Sequence, residues 1–401
     1  MIDIRNETES RVLQSLASIG PQSKAELARD LGVMRSTVGA RIARLLDLGI
    51  VRPAPEARVD SDEDKPRFGR PGALLELTPE FCSFACVDVS FGIVRAALFD
   101  LQCNTVATRS ARMTPHDQSP DATSGVVIKL LEDVMQGREA SVEGIIVGVP
   151  GVVDDQEMIL RAPCLGWQDV DLKSRLQDRF RDICHITIAN DASLFASAQS
   201  QGAPWMSFQN AVLVWLDTGV GGALVANGAL VFGRSGLAGE LGHMIVSSQS
   251  AGKVRRLEDI AGVWALLSRN QELGGTAETL ADLIAEHDAG APSAAEAFRE
   301  WATAMAEGMA TLTSVFDPEA MIFVGPATAL LQRIETQTFE IYLDSLLHGT
   351  TPADWHIVPF DDQMLLKSGA TLLRAALLQD VGPDPDGLTD APLVRTAIAH
   401  T

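Results

Sequence analysis

Apolar residues recur three and four apart in the first fifty positions, and the spacing predicts three short helices. Val12, Leu13, Leu16 and Ile19 form one apolar face, closed by Gly20-Pro21. Ser23 followed by Glu26 is a capping-box pattern and opens a helix carrying Ala25, Leu27, Ala28 and Leu31. After Gly32, Val33, Val38, Ile42, Leu45, Leu46 and Leu48 turn one face of a third helix inward, ending at Gly49. A strand at Ile50-Val51-Arg52 and its return at Ala73–Leu77 enclose a polar loop with Arg58, Lys65, Arg67 and Arg70. This is a winged helix-turn-helix in outline. The outward side chains Arg35, Ser36, Thr37, Arg41 and Arg44 suit phosphates and base edges, and Arg67 and Arg70 extend that surface into the wing. The acidic run Asp60, Asp62, Glu63, Asp64 fits a DNA-facing wing poorly. A small helical protein-interaction domain is the alternative for this part.

Beyond Phe81 the pattern changes to strands. Phe84–Val89, Val94–Asp100 and Thr105–Thr108 precede a helix over Ala122–Gln136, then a buried strand Gly144–Val149 stopped by Pro150-Gly151. Such an order opens a mixed α/β sheet. The strand His185–Ala189 runs into Asn190-Asp191-Ala192, where a helix begins. Ligands of open α/β sheets bind at such strand ends. Two roles stay open for Asp191: a helix cap, or a base taking a proton from a sugar hydroxyl. Ala211–Leu216, a turn Asp217-Thr218-Gly219-Val220-Gly221-Gly222, and Ala223–Ala226 up to Asn227-Gly228 read as a hairpin with a glycine-rich first turn. Backbone N–H groups there can face an anion. Glu240 and His243 follow among Gly236, Gly239 and Gly242, an arrangement suited to a polyhydroxylated ligand. Further on, Leu257–Leu273, Ala294–Phe316, most of Ala327–Leu347 and Gln363–Leu378 read as helices, with strands at Met321–Val324 and His356–Val358. Met305, Met309 and Met321 belong in a core.

Composition refines this picture. With 401 residues, two or three domains are expected. No apolar run reaches the roughly 18 residues of a membrane span, and MIDIRNETES lacks the apolar stretch of a signal peptide, so a cytoplasmic protein is expected. Five cysteines, Cys82, Cys86, Cys103, Cys164 and Cys184, lack metal-ligand spacing and read as reduced thiols. The net charge is −21, yet residues 1–77 balance twelve bases against twelve acids, and the remainder, with twenty against forty-one, carries the whole excess. The asymmetry suggests two parts with different partners.

Five motifs, in order, resemble the ROK family of repressors, open reading frames and sugar kinases. They are Gly148-Val149-Pro150-Gly151, Leu165-Gly166-Trp167, Asn190-Asp191-Ala192, Asp217–Gly222 and Ala238-Gly239-Glu240-Leu241-Gly242-His243. The N-terminal winged helix with Gly69-Arg70-Pro71 resembles the repressor branch. The resemblance implies an actin-like (ribonuclease H-like), two-lobed α/β sugar-kinase fold behind the all-α winged helix-turn-helix domain. The divisions expected are 1–78 for the DNA-binding domain, 79–188 and 189–380 for the two lobes with the sugar cleft between them, and 381–401 for a loose tail. It also implies sugar contacts at Asn190, Asp191, Glu240, His243 and Glu258, with Asp191 matching the kinases' base.

Two departures bear on function. The family segment CxCGxxGCLE ends here in Leu257-Glu258, but Gln249, Ala251 and Arg256 replace the three cysteines that hold a structural zinc with the equivalent of His243. No zinc and no cofactor are therefore expected. The family's first phosphate loop, DxGGTK, reads Asp88-Val89-Ser90-Phe91-Gly92-Ile93. Phe91 replaces a glycine, Gly92 the threonine and Ile93 the lysine. The second loop, with Asp217, Thr218, Gly219 and Gly221, is kept, as is a turn at Val324-Gly325-Pro326. Half a phosphate site argues against kinase activity. The expectation is a regulator of carbohydrate genes. It would bind double-stranded operator DNA as a homodimer or dimer of dimers, with a sugar or sugar phosphate as effector. An ATP-dependent hexose kinase carrying a DNA-binding domain is the alternative.

Overall fold

The computed structural model describes residues 4, 6–55, 73–114, 118–183, 185–199, 208–231, 233–234, 237–246, 254–333, 343–348 and 353–379. Arg58, Lys65, Arg67, Arg70, the acidic run at 60–64, the Gly69-Arg70-Pro71 step, Gly236, Gln249, Ala251, Cys184 and the tail lie outside the described residues.

The head has its three helices at α1 (Glu7–Ile19), α2 (Lys24–Asp30) and α3 (Arg35–Asp47). Asn6 caps α1, and Gly20 ends it at φ +91°, a conformation that glycine adopts without a Cβ penalty. The capping box of α2 is complete: Ser23 N–H donates to Glu26 Oε2 at 2.8 Å, and Glu26 N–H donates to Ser23 Oγ at 3.3 Å. The third helix begins at Met34 without a side-chain cap. Val38, Ile42 and Leu45 are buried against Val12, Leu13, Leu16 and Leu27. A three-stranded sheet finishes the head, in the order Gln22–Ser23, Leu74–Leu77, Val51–Pro53. The first of these strands was not expected. Two residues carry too little alternation to be read.

The body holds two five-stranded sheets. The first runs His185–Asn190, Val142–Val149, Ser83–Ser90, Ile93–Asp100, Thr105–Arg112; its first two pairings are parallel and the others antiparallel. The second runs Ala229–Val231, Val220–Ala226, Ala211–Leu216, Ala320–Val324, Asp354–Ile357. The helices Asp191–Gln199 and Met364–Leu378 pack on each other. Phe195, Leu365 and Leu373 from these helices share one apolar core with Cys86 and Ile146 of the first sheet and Leu213 and Trp215 of the second. The Met364–Leu378 helix thus returns to the first sheet after the chain has built the second.

The segment expected as one helix over Leu257–Leu273 is two, Glu258–Ala261 and Val263–Glu272. Gly262 breaks it, because the chain there lies against the Thr218 carbonyl, 2.7 Å from where a Cβ would stand. Met305, Met309 and Met321 are buried as expected. Among the described residues no helix is long and apolar enough to cross a membrane.

The head is not strung on a free linker. Its apolar residues belong to the same cluster as Phe84, Phe99 and Leu378 of the body. Ser10 Oγ on α1 donates to the Leu378 carbonyl at 2.6 Å, and Gln102 Nε2 donates to the Leu77 carbonyl at 2.7 Å.

Inside the head, Glu9 is fully buried and accepts from Arg44 Nη1 at 2.6 Å, while Arg41 Nη1 stands 3.9 Å from its other oxygen. Removing one partner of a buried ion pair strands the other charge. Glu9→Ala is expected to lower stability by on the order of 3 kcal/mol, measured by denaturant unfolding of the full chain. A loss under about 1 kcal/mol, the range of an exposed pair, would show the ion pair to be dispensable.

Candidate functional site

The candidate site is assembled from strand ends and one glycine-rich turn. Asn190 closes its strand, and Asp191 starts the next helix. Asn190 does the capping: its Oδ1 accepts from Ser193 N–H at 2.9 Å, and its Nδ2 donates to the Gly151 carbonyl at 3.0 Å. Asp191 Oδ1 takes the Ala192 N–H at 2.7 Å. The cap role left open for Asp191 therefore falls to its neighbour.

The turn of the Ala211–Ala226 hairpin lies directly opposite. A Cβ on Gly221 would stand 3.5 Å from the Ala192 Cβ, so the turn abuts the start of the Asp191 helix. Asp217 follows the last residue of the strand Ala211–Leu216. Its N–H donates to the Gly219 carbonyl, and the carbonyls of Asp217 and Thr218 accept from the N–H groups of Val263 and Trp264.

Glu240, His243 and Glu258 are drawn to the same turn. Gly242 packs so tightly that a Cβ would meet the Val220 carbonyl at 2.3 Å and Glu258 Oε2 at 3.2 Å. Gly219 is 3.7 Å from Glu258 Oε2 by the same measure. His243 Nε2 lies 3.3 Å from Glu258 Oε1, and Arg256 Nη1 lies 3.7 Å from that oxygen. Arg256 is the residue that stands at the last cysteine of the CxCGxxGCLE segment. A fixed cation at a ligand position repels a metal ion, and three of four donors are changed, so these residues do not fit zinc.

Asp88 enters from the first sheet. It accepts from Ser90 Oγ at 2.8 Å and from Arg95 Nη1 at 3.0 Å. Arg95 Nη2 also lies 3.7 Å from Asp362 Oδ1, just ahead of the Met364–Leu378 helix. In the loop between, Gly92 has φ +77° and its N–H donates to Gln118 Oε1 at 3.3 Å. Val324-Gly325-Pro326 is a close backbone crossing: a Cβ on Gly325 would stand 2.2 Å from the Leu216 carbonyl.

Electrostatics bind these residues into one site. Burial pushes the Asp191 carboxyl well above the usual range, and repulsion from Asp217, Asp88 and Glu240 adds to it. Burial raises Asp217 to about 6, helped by Asp88. Burial raises Glu240 to about 7, helped by Glu258. Asp88 is raised by burial, against the pull of Ser90 and Arg95. The Cys164 thiol is pushed up to about 12, by burial first and then by Asp191, Asp217 and Glu258, which places Cys164 beside the same carboxylates. Sequence reasoning missed Arg95, Gln118 and Cys164. A charged residue in the otherwise apolar run Ile93–Phe99 was the available signal for Arg95.

In the head, Arg35 and Ser36 are exposed and Thr37 is half-buried at the start of α3. Arg41 and Arg44, grouped with them by the sequence, are engaged with Glu9 as described.

The ROK family profile matches residues 84–352. The chain belongs to the ROK family. A xylose repressor of Bacillus subtilis (strain 168) is 24% identical over 328 residues, covering 80% of this chain and 82% of that protein. A glucokinase of Halalkalibacterium halodurans is 29% identical over 224 residues, covering 50% of this chain and 67% of that protein. The crystal structure of a ROK family transcriptional regulator homologous to the E. coli MLC protein superposes with a TM-score of 0.70 at 19% identity, covering 98% of each chain. A ROK glucokinase from Streptomyces griseus, solved with glucose and AMPPNP, gives 0.61 at 22% identity, covering 72% of this chain and 98% of that one. The ROK fold is thus shared by regulators and kinases. The regulator's match extends through the head, and the kinase's does not span the whole chain.

Glu240 gives this ROK protein a testable pH dependence. Its carboxyl rises from 4.5 to about 7 on folding, so the fold favours the protonated form. That contribution is complete below about pH 4.5 and is lost as pH climbs through 7. Glu240→Gln stays neutral throughout. Its melting temperature should match the wild type near pH 5 and exceed it at pH 8. A constant difference across that range would contradict the assignment.

Proposed function

We propose that this protein is a sugar-responsive, DNA-binding transcriptional repressor whose effector occupies the cleft and is not phosphorylated there. The reading is carried by one combination: a winged head sharing a core with a sugar-kinase body whose first phosphate loop is blocked. Phe91 replaces the glycine that would admit a phosphate, and Arg95 neutralises Asp88 from within the chain. Repressors among the relatives, covering about four fifths of the chain, support it. In this reading Asn190, Asp191, Glu240, His243 and Glu258 meet the sugar hydroxyls. Arg35, Ser36 and Thr37, with Arg67 and Arg70 of the wing, meet an operator presented to a homodimer or dimer of dimers. The ligand acts by binding one placement of the heads better than another.

A kinase is the second reading, favoured by the intact Asp217–Gly222 turn, by Asp191, and by the glucokinase relatives. A coupled ADP-release assay with a panel of hexoses decides it, and turnover well above background would overturn the repressor reading.

Asp191→Ala is expected to abolish the effect of sugar on operator binding while leaving affinity for DNA selected from a random pool unchanged, since it removes a cleft contact and none to DNA. A variant still answering at the wild-type sugar concentration would remove Asp191 from the site. Arg35→Ala is expected to weaken specific binding by roughly 1–3 kcal/mol, the worth of a good base contact. An unchanged gel shift would take Arg35 off the DNA surface.

A further inference from the structure

The Ser10 and Gln102 hydrogen bonds hold the head to the body, and the seam between the two contains a cavity of about 140 Å³. Ala17 and Pro21, at and just beyond the end of α1, line it from the head, with Glu76 and Leu77 of the strand Leu74–Leu77. Gln102 and Arg374 line it from the body. No residue of the candidate site described above is among its walls. A cavity of roughly 150 Å³ holds a benzene molecule, so about six non-hydrogen atoms fit here.

The two sides differ in charge. On the head side the Glu76 side chain is only 12% exposed, and its Oε1 accepts from Arg52 Nε at 2.8 Å. Arg52 is shared, since its Nη1 also donates to Glu80 Oε2 at 2.9 Å. Two carboxylates on one guanidinium leave an excess of negative charge. The end of α1 adds to it, because the last turn of a helix presents unpaired carbonyls and the negative end of the dipole. Pro21, four residues after Ala17, has no N–H to give the Ala17 carbonyl. The last turn of α1 carries no basic residue. On the body side Arg374 is half-buried. It lies one helical turn before Leu378, whose carbonyl accepts from Ser10, and so on the helix face that meets α1. Among the described residues no carboxylate stands at ion-pair distance from Arg374.

A guanidinium takes a carboxylate through two parallel N–H bonds. A carboxylate beside a helix end attracts an ammonium group. Pro21 and Leu77 supply apolar wall for a small side chain. We infer that this cavity is a second ligand site, taking a small zwitterion of the α-amino acid class, its carboxylate on Arg374 and its ammonium toward Glu76 and the end of α1. A ligand so placed touches head and body at once. The inference stands apart from the sugar-response reading, because the two sites share no residue.

Titration calorimetry of the full chain at pH 7 tests it with L-alanine, which has about the right size, set beside propionate and ethylamine, each of which keeps one of its charges. L-Alanine should bind. Propionate and ethylamine should bind roughly tenfold more weakly or worse, since each lacks one hydrogen bond to a charged partner. Arg374→Gln and Glu76→Gln should each cost L-alanine a similar factor. Ala17→Leu fills the cavity, leaves both charges in place and should abolish the heat. Propionate binding as tightly as L-alanine would overturn the zwitterion class. No heat with L-alanine, or heat unchanged in Arg374→Gln and Ala17→Leu, would overturn the site itself.

Discussion

The loss of water around several buried carboxylates is the constraint on which this structure turns. Asp88, Asp191 and Asp217 stand near the carboxyl ends of strands in two sheets, and each is raised above its ordinary range chiefly by loss of water. Such a group is tolerated where a partner, a proton or a ligand offsets the desolvation. Arg95 serves Asp88, while Asp191 has its neighbour's amide and Asp217 the short range of its own turn. The glycines at 219, 221 and 242 let the opposing segments close in until the charges feel one another.

Much of this was legible in the sequence because strong periodicity and glycine signals agree locally. The head's helices, the glycine-turn hairpin and the long Pro292–Phe316 helix follow from apolar spacing and caps. The break at Gly262 was not legible, since the reason is a carbonyl from the distant Thr218 turn. Nor was the division of labour at Asn190 and Asp191, two adjacent residues of similar capping ability. Arg41 and Arg44 show the limit most clearly. Outward spacing on a helix marks a side chain that can reach solvent. A buried glutamate on another helix then holds Arg44 at 2.6 Å, while Arg41, 3.9 Å away, keeps much of its side chain in solvent.

The departures from the family pattern are coordinated. Where a phosphate loop would have glycine, threonine and lysine, the chain has Phe91, Gly92 and Ile93, and two residues on Arg95 turns to Asp88. Where a zinc site would have its last thiolate, Arg256 turns to Glu258. In both places an arginine of the chain lies against a carboxylate of the candidate site.

The bond from Ser10 to the Leu378 carbonyl has a mechanical consequence. Leu378 ends a helix whose other end follows Asp362, the second partner of Arg95. A fifteen-residue helix thus runs from beside the Arg95–Asp362 contact to the base of the head, so the placement of α1 is tied to the first sheet by a rigid element with a polar contact near each end.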